Sequence, residues 1–191
     1  MDASVRRTVS DDHADRVRWN GKYAGREPSF RVPDAAARAL ELAPDGPVLD
    51  LACGVSGLVL DAAGRGRDAT GVDVSDVALG LLAREAARRG VAARVTLVHA
   101  DLAGWTPPGR FALVAATGFW DRAVFDAAVR AVAPGGVLAW EAFTLAARRE
   151  RPALPRAWCL ADDEPAALLD DDFTVLAQED RATKRRLLAR R

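Results

Sequence analysis

Short apolar runs alternate with segments of helical periodicity along most of the chain. Val48–Leu51, Asp68–Val72, Arg94–Val98, Phe111–Ala116 and Val137–Ala142 read as strands, each a brief run bounded by turn residues. Gly57–Ala63 reads as a helix ended by Gly64 and Gly66. Ser75 caps a second helix, in which Val77 and Leu81, and Ala78 and Leu82, recur at helical spacing. Asp76 in its first turn, Arg88 and Arg89 in its last, and Gly90 beyond them match the helix dipole and the usual stop. Asp121–Val132 is a further helix with Phe125, Val129 and Val132 on one stripe, and Pro134-Gly135-Gly136 turns into the fifth strand.

The flanks are less regular. Residues 1–10 read as frayed, and Ser10-Asp11-Asp12 is expected to cap a helix reaching about Ala24. Pro33 opens another helix, broken by Pro44-Asp45-Gly46. Arg148–Cys159 reads as a loop, Asp162–Leu169 as a short helix, and Phe173–Ala177 and Arg186–Ala189 as an antiparallel closing pair. Five strand–helix alternations specify an α/β, doubly wound, mostly parallel sheet, here of seven strands with an antiparallel C-terminal pair.

Composition narrows the class. Of 191 residues, 50% are hydrophobic and 28% charged, a globular balance expected to form a single domain. Lys+Arg and Asp+Glu are both 27, so no global field recruits nucleic acid or an anionic membrane. The acidic stretch Asp162–Asp172 and the basic tail Arg181–Arg191 read as solvated surface or, for the tail, as a phosphate contact. Cys53 and Cys159 make neither a disulfide framework nor a zinc spacing, which fits a reducing, cytoplasmic location. The opening MDASVRRTVSDDHADR lacks the apolar core of a signal peptide, and no apolar run approaches a membrane span.

The chemistry concentrates where strands end. PVLDLACGVSG (Pro47–Gly57) is a buried strand running into a tight loop that opens a helix. Asp50 there would repel a pyrophosphate, which dinucleotide sites seat on a helix N-terminus. It suits a ligand with an ammonium group and no phosphate, such as S-adenosylmethionine (SAM). Asp73 ends the next strand, where a carboxylate can accept both ribose hydroxyls, and Asp101 ends the third, in reach of an adenine amino group.

With these residues the chain resembles the class I SAM-dependent methyltransferases. The resemblance rests on VLDLACGVSG, GVDVS, HADL, FALVAATGFW and PGGVLAWEAFT, in family order over about Pro47–Thr144. WNGKY (Trp19–Tyr23) and the final LLARR look like segments of the small tellurite-resistance and thiopurine methyltransferase-like groups. The resemblance implies a Rossmann-like fold in three stretches: an N-terminal helical lid (1–43), a SAM-binding core (44–144), and a C-terminal loop with closing strands (145–191). It also implies roles. Asp50 would hold the methionine ammonium, directly or through water, with Ala52, Cys53 and Gly54 approaching by backbone. Asp73 would take the ribose, Val74 would pack on adenine, and Asp101 and Leu102 would read its edge. Thr117 and Gly118 would line the floor beneath the methyl group, and Trp19 and Tyr23 would close over the cofactor. The family's D-x-G-x-G-x-G appears here as Asp50-x-Ala52-x-Gly54-x-Ser56; Ala52 is a small change, and Ser56 adds a Cβ near the cofactor.

Methyl transfer demands mainly in-line positioning of the acceptor. Phe119, Trp120, Asp121 and Phe143 are the candidate acceptor-side residues, with ordinary core as the other reading of the aromatics. Glu141 is a candidate base or orienter, or half of a salt bridge. The sequence has no G-x-S-x-G elbow, no phosphate loop and no N-P-P-[YFW] motif, and it shows no magnesium-holding acid pair with Asn, so metal independence is expected. The expected function is methylation of a small molecule, leaving S-adenosylhomocysteine (SAH). A catalytically silent binding or scaffold protein, and a nucleic-acid methyltransferase, are the alternatives.

Overall fold

The computed structural model describes residues 6, 7 and 9–191, so the stretch read as frayed lies partly outside the described residues. In chain order the elements are β1 (Arg6–Arg7), α1 (Ala14–Tyr23), α2 (Asp34–Leu42), β2 (Val48–Leu51), α3 (Leu58–Gly64), β3 (Ala69–Asp73), α4 (Asp76–Arg88) and β4 (Val95–His99). After them come β5 (Phe111–Thr117), α5 (Arg122–Ala131), β6 (Val132–Thr144), α6 (Ala147–Glu150), β7 (Cys159–Leu160), β8 (Thr174–Arg181) and β9 (Lys184–Arg190). The strands of four or more residues are the seven expected; β1 and β7 add two residues each. Pairing is mostly parallel, with an antiparallel C-terminal pair, which is the Rossmann-like α/β class.

The chain divides into two compact units. The first comprises Met1–Pro33 and Asp45–Thr106. Its strands β2, β3 and β4 pair in parallel, with Asp50 opposite Gly71 and Asp73 opposite His99, and β1 joins β4 at Val98 and His99. All four residues of β2 are buried, as a continuous apolar run in a parallel sheet requires. Apolar residues of α3 (Leu58, Val59, Leu60) and α4 (Leu79, Leu82) complete this core. Gly71 is needed on β3: a Cβ there would lie 2.9 Å from the Cys53 sulfur.

The expected cap of α1 is corrected. Ser10 Oγ donates to Asp12 Oδ1 (2.7 Å), and the Ser10 carbonyl accepts the His13 N–H (3.3 Å). These residues form a turn, and the helix starts after His13 without a side-chain cap.

The second unit comprises Asp34–Pro44 and Pro107–Arg191. Here β5 pairs in parallel with β6, while β9 runs antiparallel to both β6 and β8. The turn at Pro134-Gly135-Gly136 is absorbed into β6 as an irregularity, with Gly135 at φ +74°, so the strand is longer than expected. Phe125 of α5 and Trp140 of β6 meet edge to face at 5.1 Å between ring centroids, and Trp120 lies 5.4 Å from Phe125.

Two readings of the C-terminal stretch change. Arg148–Cys159 is only partly loop: α6 and a 3-10 turn at Arg156–Trp158 interrupt it, and Cys159–Leu160 pair with Phe143–Thr144. Asp162–Leu169 keeps only one 3-10 turn, Ala166–Leu168. Arg185 takes the carbonyls of Ala161, Asp162 and Glu164, which a helix would have used, and Pro165 has no N–H to give. The basic tail is internally partnered: Arg185 pairs with Asp180, Arg191 with Asp172, and Lys184 and Arg186 with Glu141.

Candidate functional site

The first unit gathers ten of the candidate residues around the ends of β2, β3 and β4. Asp50 is 2% exposed at the end of β2. Burial pushes its pKa up to about 7, a hydrogen bond with Ser56 pulls it down, and the charge of Asp73 pushes it up again. Its Oδ2 is buried with no hydrogen-bond partner among the described residues. A buried acceptor in that state is costly, and it suits a ligand donor.

Asp73 is held differently. Its Oδ2 accepts the Gly54 N–H (2.7 Å) and its Oδ1 the Ser75 N–H (2.8 Å). Burial raises its pKa to about 6 against these backbone bonds, and the charge of Lys22 lowers it. One carboxylate thus ties the loop after β2 to the start of α4.

The loop itself is sharply turned, with Ala52 at φ +49° and Gly54 at φ +51°. Both lie in the left-handed region, which costs a residue with a Cβ about 1–2 kcal/mol. Ala52 is therefore a larger departure from the family glycine than its size suggests. Gly54 must lack a Cβ because the Tyr23 hydroxyl occupies that space. Gly57 must lack one because it packs on the backbone of Phe30 and Arg31, donating its N–H to the Arg31 carbonyl at 3.1 Å. Ser56 Oγ accepts the Leu58 N–H (3.2 Å) at the start of α3. The Cys53 thiol is buried beside Gly71, and its pKa lies well above the ordinary value through burial and the charges of Asp73 and Asp50. A buried thiol held protonated in this way is a poor nucleophile.

Trp19 and Tyr23 stack on α1 at 6.4 Å, with Lys22 Nζ 4.2 Å from the Trp19 ring centre. Burial, then the charges of Asp73 and Cys53, raise the Tyr23 pKa. The helix is fixed by residues the sequence reading passed over. Arg16 donates from Nε and Nη2 to the two Asp76 oxygens (2.8 and 3.0 Å) and from Nη1 to Asp11 (2.6 Å). Asn20 donates to Asp76 (2.8 Å) and accepts from the Ser75 hydroxyl (2.7 Å). Arg16 and Asn20 are one helical turn apart, a spacing that could have marked a polar docking stripe.

Asp101 follows β4. Its Oδ1 accepts the Ala103 N–H (3.0 Å), and its Oδ2 lies 3.3 Å from His13 Nε2. Leu102 beside it is buried, and the Val74 carbonyl meets His99 Nε2 at 3.0 Å.

The second unit carries the other candidates. Gly118, at φ +79°, donates its N–H to the Glu141 carbonyl (2.6 Å), and Thr117 pairs with Glu141 in the sheet. The Phe119 carbonyl accepts Trp140 Nε1–H (3.0 Å), and Asp121 caps α5 through the Val124 N–H (3.0 Å). Trp120 is buried in the aromatic cluster, while Phe143 is half-buried, with Arg151 4.9 Å from its ring centre. Glu141 is 5% exposed, with Oε1 on Lys184 (2.6 Å) and Oε2 on Arg186. Burial pushes its pKa up, but these two cations outweigh burial and hold it below the ordinary value. Of the readings left open, the geometry displays the salt bridge. Among the described residues no three His, Cys, Asp or Glu side chains converge as a metal-binding group, and no helix is long and apolar enough to cross a membrane.

In an open α/β sheet ligands bind in the crevice at the carboxyl ends of the parallel strands, which is where these acids stand. Residues 48–136 match the family model described as "Methyltransferase domain". Solved structures share the fold. A protein studied for the conversion of a disulfide bond into a thioacetal group during echinomycin biosynthesis is 20% identical, with TM-score 0.68, over 93% of this chain and 92% of its own. TehB from Haemophilus influenzae is 15% identical, with TM-score 0.70, over 84% of this chain and 62% of its own. A SAM-dependent methyltransferase from Geobacter sulfurreducens, solved with SAH, is 22% identical, with TM-score 0.63, over 86% and 73%.

Proposed function

We propose that the protein transfers a methyl group from SAM to a small-molecule acceptor. The observation that carries this reading is the unpartnered, buried Asp50 Oδ2 beside a loop turned through two left-handed residues. An ammonium donor satisfies that oxygen and favours the ionised carboxylate. The SAH bound in the Geobacter relative supports the same cofactor here.

The residues fit the group. Asp50 would take the ammonium, directly or through water, and Ala52, Cys53 and Gly54 would approach by backbone. Asp73 would accept the ribose hydroxyls while the Gly54 and Ser75 N–H groups hold it still, with Val74 on the adenine face and Asp101 and Leu102 at its edge. Trp19 and Tyr23, on a helix anchored at the start of α4, would cover the ligand and exclude water. SAM supplies an activated methyl electrophile, so the protein's task is to bind and orient. Of the acceptor-side candidates in the second unit, Phe119 and Phe143 keep half-buried rings that can contact a substrate. Glu141, already bridged by two cations, is a poor proton acceptor, and an acceptor that needs no base suits this chain best. A reducing cytoplasm and metal-free turnover complete the proposal.

Calorimetry with SAM and SAH tests it. Micromolar binding that falls at least about tenfold in Asp73→Ala is the expected result. No binding at millimolar cofactor overturns it. Saturable SAH binding with no methyl transfer across small-molecule acceptors would favour the silent binding protein instead.

A further inference from the structure

A cavity of about 370 Å³ lies wholly within the second unit, where β5, β6 and β7 end. Trp120, Leu145 and Ala157 supply apolar wall, and Asp121, Arg122, Glu164, Arg156 and Cys159 line the rest. The volume is in the range of small-ligand sites, and the carboxyl ends of parallel strands are where such sites form.

The charges in the wall are unequally committed. Glu164 is 5% exposed; it accepts the Ala161 N–H (2.9 Å) and pairs with Arg122, so those two charges cancel. One oxygen of Asp121 is taken by the cap of α5. The exposed Arg156 side chain has no hydrogen bond or ion pair among the described residues, and the positive charges of Arg148 and Arg156 are felt at the Cys159 thiol. Of the four charges in the wall, Arg156 and Asp121 lack an ion-pair partner among the described residues, and the guanidinium is the one that can take an anionic group.

We propose that this cavity binds a small apolar molecule bearing a carboxylate, with Arg156 reading the carboxylate and Trp120 and Leu145 flanking the apolar part. A guanidinium and a carboxylate make a charge-assisted and frequently bidentate pair. The assignment rests on the second unit alone and stands whether or not the occupant is the methyl acceptor.

Benzoate is the probe, titrated by calorimetry into the full chain without cofactor, with benzyl alcohol as the neutral control. Saturable benzoate binding, at least about tenfold weaker in Arg156→Gln, is expected, because the variant removes the charge-assisted contact to the carboxylate. Arg149→Gln, at an exposed arginine outside the cavity lining, should leave binding unchanged. An unchanged thermal midpoint in Arg156→Gln shows that the fold is intact. Three results overturn the inference: no saturable benzoate binding, benzyl alcohol binding as well as benzoate, or equal loss in the two arginine variants. SAH titrated separately reports on the methyltransferase reading, so failure of one does not mimic failure of the other.

Discussion

The Ser56 side chain pulls the pKa of the buried Asp50 carboxyl down, against burial and the charge of Asp73. Ser56 is also where the loop leaves the family's glycine pattern. Ser56→Gly removes that downward pull, so the Asp50 pKa rises further above its raised value. SAH affinity should then fall at pH 7 and recover at higher pH. Isothermal titration between pH 6 and pH 9 checks this; a midpoint unchanged from the wild type would show that the hydroxyl does not tune the acid.

Asp50 also makes a signed prediction for stability. Its folded pKa, about 7, lies above the ordinary 3.8, so the folded state holds an extra proton between those values. Its contribution to stability is present below about pH 4 and is lost as pH rises through 7. Asp73, raised to about 6, acts in the same direction. Asp50→Asn keeps the shape and removes the titration. In the ligand-free protein it should stabilise by about 1–3 kcal/mol at pH 8, the cost of a buried unpaired acceptor, and by much less at pH 5. Denaturant unfolding at the two pH values measures the difference.

Ala52 holds φ +49° with a side chain that disfavours it. Ala52→Gly relieves left-handed strain of about 1–2 kcal/mol and gives back part of it as unfolded-state entropy. A net gain of up to about 1 kcal/mol is expected from thermal or denaturant unfolding. A loss of stability would mean that the loop does not keep this conformation in solution.

Glu141 separates catalysis from architecture. Glu141→Gln leaves Lys184 and Arg186 facing each other without their shared acid. The variant should lose about 1–3 kcal/mol of stability, the cost of breaking a largely buried ion pair with a partly exposed rim. SAH affinity should stay within about twofold of the wild type, since the change is confined to the second unit's ion pair. Rescue of turnover by a more basic buffer, with stability unchanged, would instead mark it as a proton acceptor.

The strand ends were legible because each is a buried apolar run that stops at a polar turn; Asp50, Asp73 and Asp101 could be placed without coordinates. Ser75 was legible as a cap because capping is local. Ala52 was misjudged because composition does not reveal φ. The pairing of Cys159–Leu160 with Phe143–Thr144 was invisible because a two-residue strand exists only through its partner. The loss of helix over Asp162–Leu169 depends on Arg185, some twenty residues later in the chain, bonding its carbonyls. For the same reason the clamp on α1 could not be read: Arg16 and Asn20 find Asp76 across 60 and 56 residues.

That clamp leads to the last prediction. Ser75 Oγ accepts the Ala78 N–H (3.1 Å) and donates its own proton to Asn20 Oδ1, which also faces the Val77 N–H (3.4 Å). Asn20 thus completes the cap of α4 while holding the helix that carries Trp19 and Tyr23. Asn20→Ala leaves the Ser75 hydroxyl proton without its Asn20 acceptor and removes one of the donors to Asp76 Oδ1, which keeps Arg16, at a cost of about 1–2 kcal/mol. Asn20→Asp should be worse, because it sets a second carboxylate against Asp76 and removes the donor. Backbone amides of α1 should then exchange faster with solvent while those of β2 and β3 stay protected, since loss of one docked helix is a local opening. If exchange of α1 is unchanged in both variants, the helix is held by Arg16 and its packing alone, and Asn20 has no part in presenting the aromatic pair.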